Sequence, residues 1–304
     1  MPTNDPKLTK NQRRDDAREK ARLLRIEQER KAKRTRIAVV AFGAVIVVAL
    51  AGVVGFIVKT NNDKAEQYSS VAYGGGGDDV VPPKVADVAA PSTATGSHIP
   101  VSKAGTGVAG DGDTTVSLYF DTQCPVCAQF DSINGADLDA LAKEDGITVK
   151  YFPVSFLDRL SSGTFYSSRA ANAASVVADK DPEHFTPFLT ALYTNQPAEN
   201  SDGLPDEKIA EIATSVGVPT TVSDTFTDTV SGTYKVTGSD AEKTGTWRTF
   251  TPWIAANTEE MATVLGGQDK VSTPTILVDD KPFAGNWQNP GELKTAVEAA
   301  AAAK

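Results

Sequence analysis

The chain has 304 residues with 39 acidic and 30 basic side chains, a net charge of −9, and only two cysteines and two histidines. So few ligating side chains exclude a disulfide-stapled scaffold, a four-cysteine zinc site and a histidine-rich metal cluster, and no metal or other cofactor is expected. The net charge hides a split: residues 1–36 hold 13 Lys/Arg against 6 Asp/Glu, a net of +7, whereas the remainder carries −16. The basic segment has no interleaved aromatic residue and the rest is acidic, which argues against nucleic-acid binding.

In chain order, residues 1–36 read as a basic tail, charged and helix-prone over 7–34, with contact to anionic lipid as a secondary expectation. Ile37 to Val58 follows without a single charge. At about 1.5 Å per residue this run extends roughly 33 Å, enough to cross a hydrocarbon core of about 30 Å. It reads as one transmembrane helix over 37–58. A cleaved signal peptide is the competing reading, disfavoured because an apolar signal core is only about 7–15 residues long. Arg30, Lys31, Lys33, Arg34 and Arg36 crowd one flank while Lys59 closely follows the other. That asymmetry predicts a single-pass cell-membrane protein with a cytoplasmic N-terminus and an extracytoplasmic body. Residues 59–97, with Gly74 to Gly77, Pro82, Pro83 and Pro91, are expected to be a flexible extracytoplasmic linker, and residues 98–304 the folded domain.

The domain is organised around Thr114 to Phe130, TTVSLYFDTQCPVCAQF. Val116, Leu118 and Phe120 alternate with Thr115, Ser117 and Tyr119, the period of a strand, and Asp121 to Gln123 form the exit turn. Pro125 suits the first position of a helix, where its missing N–H would have had no partner. Cys124 is thereby placed at a helix N-terminus, whose free amide groups and dipole favour a thiolate. Cys124 is the expected nucleophile and Cys127, one turn on, the resolving thiol; Pro125 and Val126 between them tune the thiolate. An incidental pair, or half of a zinc site, is the bland alternative, and no further cysteine exists to complete the zinc set.

A helix is expected to continue to Gly146 with a kink at Asn134-Gly135, followed by a strand over Ile147 to Val154. Residues 161–265 read as mainly helical: an Ala-rich helix from Arg169 to Ala178, one begun by Asp181-Pro182, one opened by Pro205, and one over Trp253 to Val264. Residues 218–247 give no clear assignment. Thr275 to Val278 reads as a strand, Phe283-Ala284 as its return, and Pro290 to Ala303 as a closing helix. His98 to Ser102 reads as an edge strand. The class is α/β with a helical insertion.

With Phe120 to Cys127, the helical block and Val271-Ser272-Thr273-Pro274-Thr275 in view, residues 114–304 resemble the DsbA-like branch of the thioredoxin superfamily, here membrane-anchored. The resemblance implies a thioredoxin fold with an inserted helical subdomain. It also implies a cis bond before Pro274, and a backbone at Thr273 that receives an extended substrate peptide by strand addition. Two departures stand out. Val126 occupies the place where many relatives have a histidine, so Cys124 should be depressed less and its disulfide be a milder oxidant. Leu118 occupies the place of a buried acid six residues before the first cysteine. Asp121 is the nearest carboxylate in sequence, with turn formation and proton shuttling as its two readings.

The leading expectation is an enzyme, a thiol-disulfide oxidoreductase forming disulfides in secreted or cell-surface polypeptides and reoxidised by a membrane quinone-linked protein of the DsbB or vitamin-K-epoxide-reductase kind. Alternatives are a reductase or isomerase, for example in cytochrome maturation, and a non-enzymatic sensor or binding domain with a structural disulfide. Arg169 reads as a surface charge, His98 and His184 as bystanders, and Trp247, Trp253 and Trp287 as core or groove packing.

Overall fold

The structure is a computed structural model in which residues 9–76, 80–267 and 270–304 are described. The first eight residues of the basic tail and residues 77–79 of the expected linker lie outside them. Two compact units divide the chain, residues 1–62 and 63–304. The first is carried by helix α1 (Lys10–Gln67), which has no buried residue along its apolar stretch and is long and apolar enough to cross a membrane.

The second unit is built on a six-stranded mixed sheet. Its strands are β1 (Ile99–Ser102), β2 (Gly105–Thr106), β3 (Thr114–Phe120), β4 (Ile147–Pro153), β7 (Thr275–Val278) and β8 (Lys281–Pro282), in the order β2-β1-β4-β3-β7-β8. β3 and β4 are parallel and joined by α2 (Pro125–Leu141), whereas β7 runs antiparallel to β3 with Leu118 opposite Ile276. Parallel neighbours require a crossover of this kind, so the β3–α2–β4 unit is the local consequence of the sequence around the cysteines. The expected edge strand at 98–102 is instead an inner one: β1 pairs with both β2 and β4, because the glycine turn at Gly105 sends the chain back as a short outer strand. The helix does not break at Asn134-Gly135 either. α2 runs through it, and Asn134 uses its amide to reach Phe130 O at 3.2 Å and Trp287 O at 3.0 Å.

The insertion between β4 and β7 contains α3 (Tyr166–Lys180), α4 (Phe185–Thr194), α5 (Asp206–Ser215), α6 (Thr220–Ser223) and α7 (Thr251–Leu265); α8 (Glu292–Ala302) closes the chain. Residues 218–247, unassigned from sequence, form α6 and then a two-stranded hairpin of β5 (Thr229–Lys235) and β6 (Glu242–Arg248). The main core joins both halves: Phe120, Phe130, Tyr166, Phe185, Phe188 and Trp253 are all buried in it. Burying aromatic side chains of this size removes about 150–250 Å² each from water, the main favourable term for the fold.

The expected linker is not free. Val71 is buried, and its carbonyl accepts from Arg248 N at 3.3 Å and Thr251 Oγ1 at 2.8 Å. Tyr73 packs on Trp247 with ring centroids 4.8 Å apart, Val81 N donates to Lys235 O, and the Trp253 indole donates to Gly96 O at 2.8 Å. Glycine and proline mark turns as well as flexible coil, and the described parts of this segment pack as a strap along the hairpin and α7. Arg169 is likewise misplaced on the surface by its sequence context. It is 1% exposed, with Nη1 on Asp206 Oδ1 at 3.0 Å, Nε donating to Thr164 O, and its guanidinium 5.1 Å from the Tyr68 ring. Arg248 bonds the other Asp206 oxygen, so one carboxylate serves two guanidinium groups.

Candidate active site

Cys124 is the N-cap residue of α2, at φ −74° and ψ 116°, and Pro125 follows at the first helical position. The Cys124 carbonyl accepts from Cys127 N at 3.0 Å and Ala128 N at 3.2 Å, which closes the first turn and folds Cys127 back toward Cys124. Both cysteines are thiols not bonded to each other. Cys124 is 6% exposed and Cys127 2%, while Pro125 and Val126 beside them face solvent. Across the turn lies the loop before β7. The Thr273–Pro274 bond is cis, and Cys124 Sγ donates to Thr273 O at 3.2 Å. Thus the two stretches that the resemblance places side by side, 124–127 and 273–274, meet in space.

The two thiols are electrostatically unequal. Cys124 is lowered to about 6, chiefly by the Cys127 thiol donating to its sulfur and then by the Thr273 hydroxyl and the N–H groups of Cys127 and Val126, against the upward push of burial. In the neutral-thiol geometry the Thr273 hydroxyl is buried without a partner, so its proton is free to turn to the sulfur when Cys124 ionises. Cys127 is raised well above the ordinary thiol value, first by burial and then by Cys124 itself. A thiol near 6 is about 90% ionised at pH 7, against about 3% for an unperturbed one near 8.5. At neutral pH Cys124 is therefore mostly thiolate and Cys127 a protonated thiol.

Beneath the turn Asp121 is completely buried. Its carboxylate accepts from Gln123 N at 2.9 Å, Leu157 N at 3.0 Å and Ser167 Oγ at 2.6 Å. Burial nevertheless pushes it up to about 7, with those three donors pulling back. The turn-forming reading of Asp121 is visible in the Gln123 contact. Leu118, by contrast, faces the core. Gln123 Nε2 donates to Leu160 O at 3.1 Å, and Gln196 Nε2 donates to both Thr122 O at 2.8 Å and Cys124 O at 3.0 Å. The phenol of Tyr193 is buried with no partner, and the charges of Cys127 and Cys124 bear on it. Ser167, Tyr193 and Gln196 were missed in the sequence because each reaches the turn from the insertion, and polar residues between helices carry no local signal of it.

The remaining expectations distribute as follows. Trp253 is fully buried and Trp247 nearly so, whereas Trp287 is half-buried against Phe130, 5.5 Å between centroids. His98 stacks near Phe152, where burial lowers it to about 4. His184 bonds Asp181 at 2.9 Å, with Glu183 nearby, on the insertion.

The family described as Thioredoxin matches residues 105–299, more than half of the chain. Among solved structures, the chain is similar to reduced DsbA from Mycobacterium tuberculosis (24% identity, covering 68% of this chain and 99% of that one, TM-score 0.47). It is also similar to MdbA, a thiol-disulfide oxidoreductase from Corynebacterium diphtheriae (21%, 66% and 93%, 0.47), and to oxidised BdbD from Bacillus subtilis (18%, 74% and 100%, 0.48). Among curated proteins it is 31% identical over 136 residues to the serine/threonine-protein kinase PknE of M. tuberculosis H37Rv, covering 43% of this chain and 24% of that one. The chain thus spans about a quarter of the length of the curated relatives it matches. With a family match over residues 105–299 that takes in the β3–α2–β4 crossover and both cysteines, the chain belongs to the thioredoxin family.

Proposed function

We propose that the protein is an extracytoplasmic thiol-disulfide oxidoreductase of the DsbA-like kind, anchored by the apolar stretch of α1, that forms disulfides in secreted or cell-surface polypeptides. The observation that carries this reading is the inequality of the thiols: Cys124 lowered to about 6 at a helix N-terminus and Cys127 raised beside it. A stabilised thiolate stabilises the reduced enzyme, and a dithiol that is stable when reduced makes its disulfide an oxidant.

In this mechanism a substrate thiolate attacks Cys124 Sγ of the Cys124–Cys127 disulfide. The sulfur–sulfur bond breaks, Cys127 leaves as a thiolate and takes up a proton, and a mixed disulfide joins substrate to Cys124. A second substrate thiolate attacks the substrate sulfur of that bond and releases the Cys124 thiolate. The substrate loses two electrons and the enzyme gains them. Thr273, next to the cis Pro274 and 3.2 Å from Cys124 Sγ, is the backbone on which an extended peptide would lie. Turnover requires an electron acceptor, and a quinone-linked membrane protein of the DsbB or vitamin-K-epoxide-reductase type fits an anchored enzyme. The basic flank of the apolar stretch would remain cytoplasmic.

The test is a trap. With Cys127→Ser, the resolving thiol that releases a stalled partner is lost, so substrates should accumulate on Cys124 as adducts that dissolve on reduction, seen on non-reducing gels. A folded C127S protein that collects no mixed disulfide, or a C124S protein that collects as many, contradicts the mechanism.

A further inference from the structure

The Cys124 turn is held from the insertion as well as from its own helix. Gln196 stands two residues beyond the end of α4, and its single amide nitrogen spends both hydrogens on the turn, on Thr122 O at 2.8 Å and Cys124 O at 3.0 Å. These two carbonyls bracket the Gln123–Cys124 segment. Pro125 offers no N–H there, and the Cys124 carbonyl, which already accepts from the Cys127 and Ala128 amides of α2, takes a further donor from Gln196. The Val126 and Cys127 N–H groups that favour the Cys124 thiolate belong to the same first turn as this carbonyl. The amide is half-buried, where hydrogen bonds are stronger than in water, and its N–H dipoles bring partial positive charge to the turn.

We propose that Gln196 is a positioning residue for the redox pair: by gripping the carbonyls on either side of Cys124 it keeps the donors of α2 aimed at the sulfur, and so sets how readily Cys124 ionises. This rests on the reading of Cys124 as the attacking thiol. Val126 contributes no side-chain donor, so tuning that could come from between the cysteines comes here from a separate layer of the fold. Other titratable groups near the sulfur are Cys127 on α2, the buried Asp121 below the turn and Tyr193 on α4, and each is present in all three variants.

The experiment follows alkylation of Cys124 by iodoacetamide against pH in the reduced full-length protein in detergent, for wild type and three substitutions. Gln196→Ala removes the donor and should move the midpoint up by about half to one pH unit, a three- to ten-fold loss of thiolate at pH values below the midpoint. Gln196→Glu puts an acceptor against two carbonyls and should move it further in the same direction. Gln196→Lys keeps a donor and adds positive charge, and should restore the midpoint or lower it. Thermal unfolding of the disulfide form of each variant is measured in parallel, because a merely structural role lowers its Tm in all three and leaves the midpoint where it was. An order of Glu above Ala above Lys supports the proposal. An unmoved midpoint, or one that moves equally in all three, overturns it. Trapping by C127S does not depend on this order, so loss of one result leaves the other readable.

Discussion

In the reduced protein Cys124 is expected to react with iodoacetamide as a thiol ionising near pH 6, while Cys127 stays unmodified until the fold is opened. Three donors and the partner thiol surround the first sulfur, and burial surrounds the second. The same asymmetry predicts how stability depends on pH. For Cys124 the folded value is depressed from about 9 to about 6, so its contribution is fully present above the unfolded value and is lost as pH falls through 6. The disulfide form lacks this titration. The stability of the reduced form relative to the disulfide form should therefore rise between pH 6 and 9 by about 2–4 kcal/mol, at 1.36 kcal/mol for each unit of pKa. Buried acids common to both forms, Asp121 near 7 and Asp158 near 6, make each form less stable as pH rises from about 4 to 7, and largely cancel in the difference. Urea titrations of both redox forms at pH 5.5, 7 and 8.5 check the sign, and a gap that narrows with rising pH would refute it.

Asp206→Ala should be strongly destabilising, lowering unfolding free energy by about 3–5 kcal/mol. The carboxylate accepts from Arg169 and Arg248, whose side chains are 0% and 8% exposed, and its removal leaves two guanidinium groups facing each other out of water. Asp206 itself is 22% exposed, so water entering the gap places the loss toward the lower end. Because Arg169 also faces Tyr68, the strap should loosen first, visible as protease cleavage between residues 68 and 76. Lys64→Ala breaks the exposed pair with Asp202 and should cost less than about 1 kcal/mol, a control for ion pairs in general. Equal losses from the two substitutions would contradict the assignment of Asp206 as the hub.

The part of the fold legible in sequence is the part whose causes are local. The alternation at Val116, Leu118 and Phe120, the proline after Cys124 and the short apolar run of Thr275 to Val278 each declare their element within a few residues, and the element bounds agree closely. Arg169 was unreadable because its carboxylate lies 37 residues away and the Ala-rich helix around it looks the same whether solvated or buried. The β5–β6 hairpin has mostly exposed strands of polar and small residues, and its stability comes from Tyr73 and Trp247 closing over it. That contact needs the strap, whose composition resembles a tether because glycine and proline mark turns and flexible coil alike. At the site, the two cysteines are legible in the residues themselves and the Thr273–Pro274 loop only through the family resemblance, whereas Gln196 reaches Cys124 across 72 residues and leaves no pattern.

The central claim, that the pair drives oxidation, is tested most directly by equilibrating the full-length protein in detergent with graded glutathione buffers and reading the oxidised fraction of Cys124–Cys127. A thiolate held near 6 without a donor at Val126 predicts a potential between those of thioredoxin, about −270 mV, and the strongly oxidising DsbA, about −120 mV. A potential at or below that of thioredoxin would contradict the account and assign the protein to reduction, or its disulfide to structure.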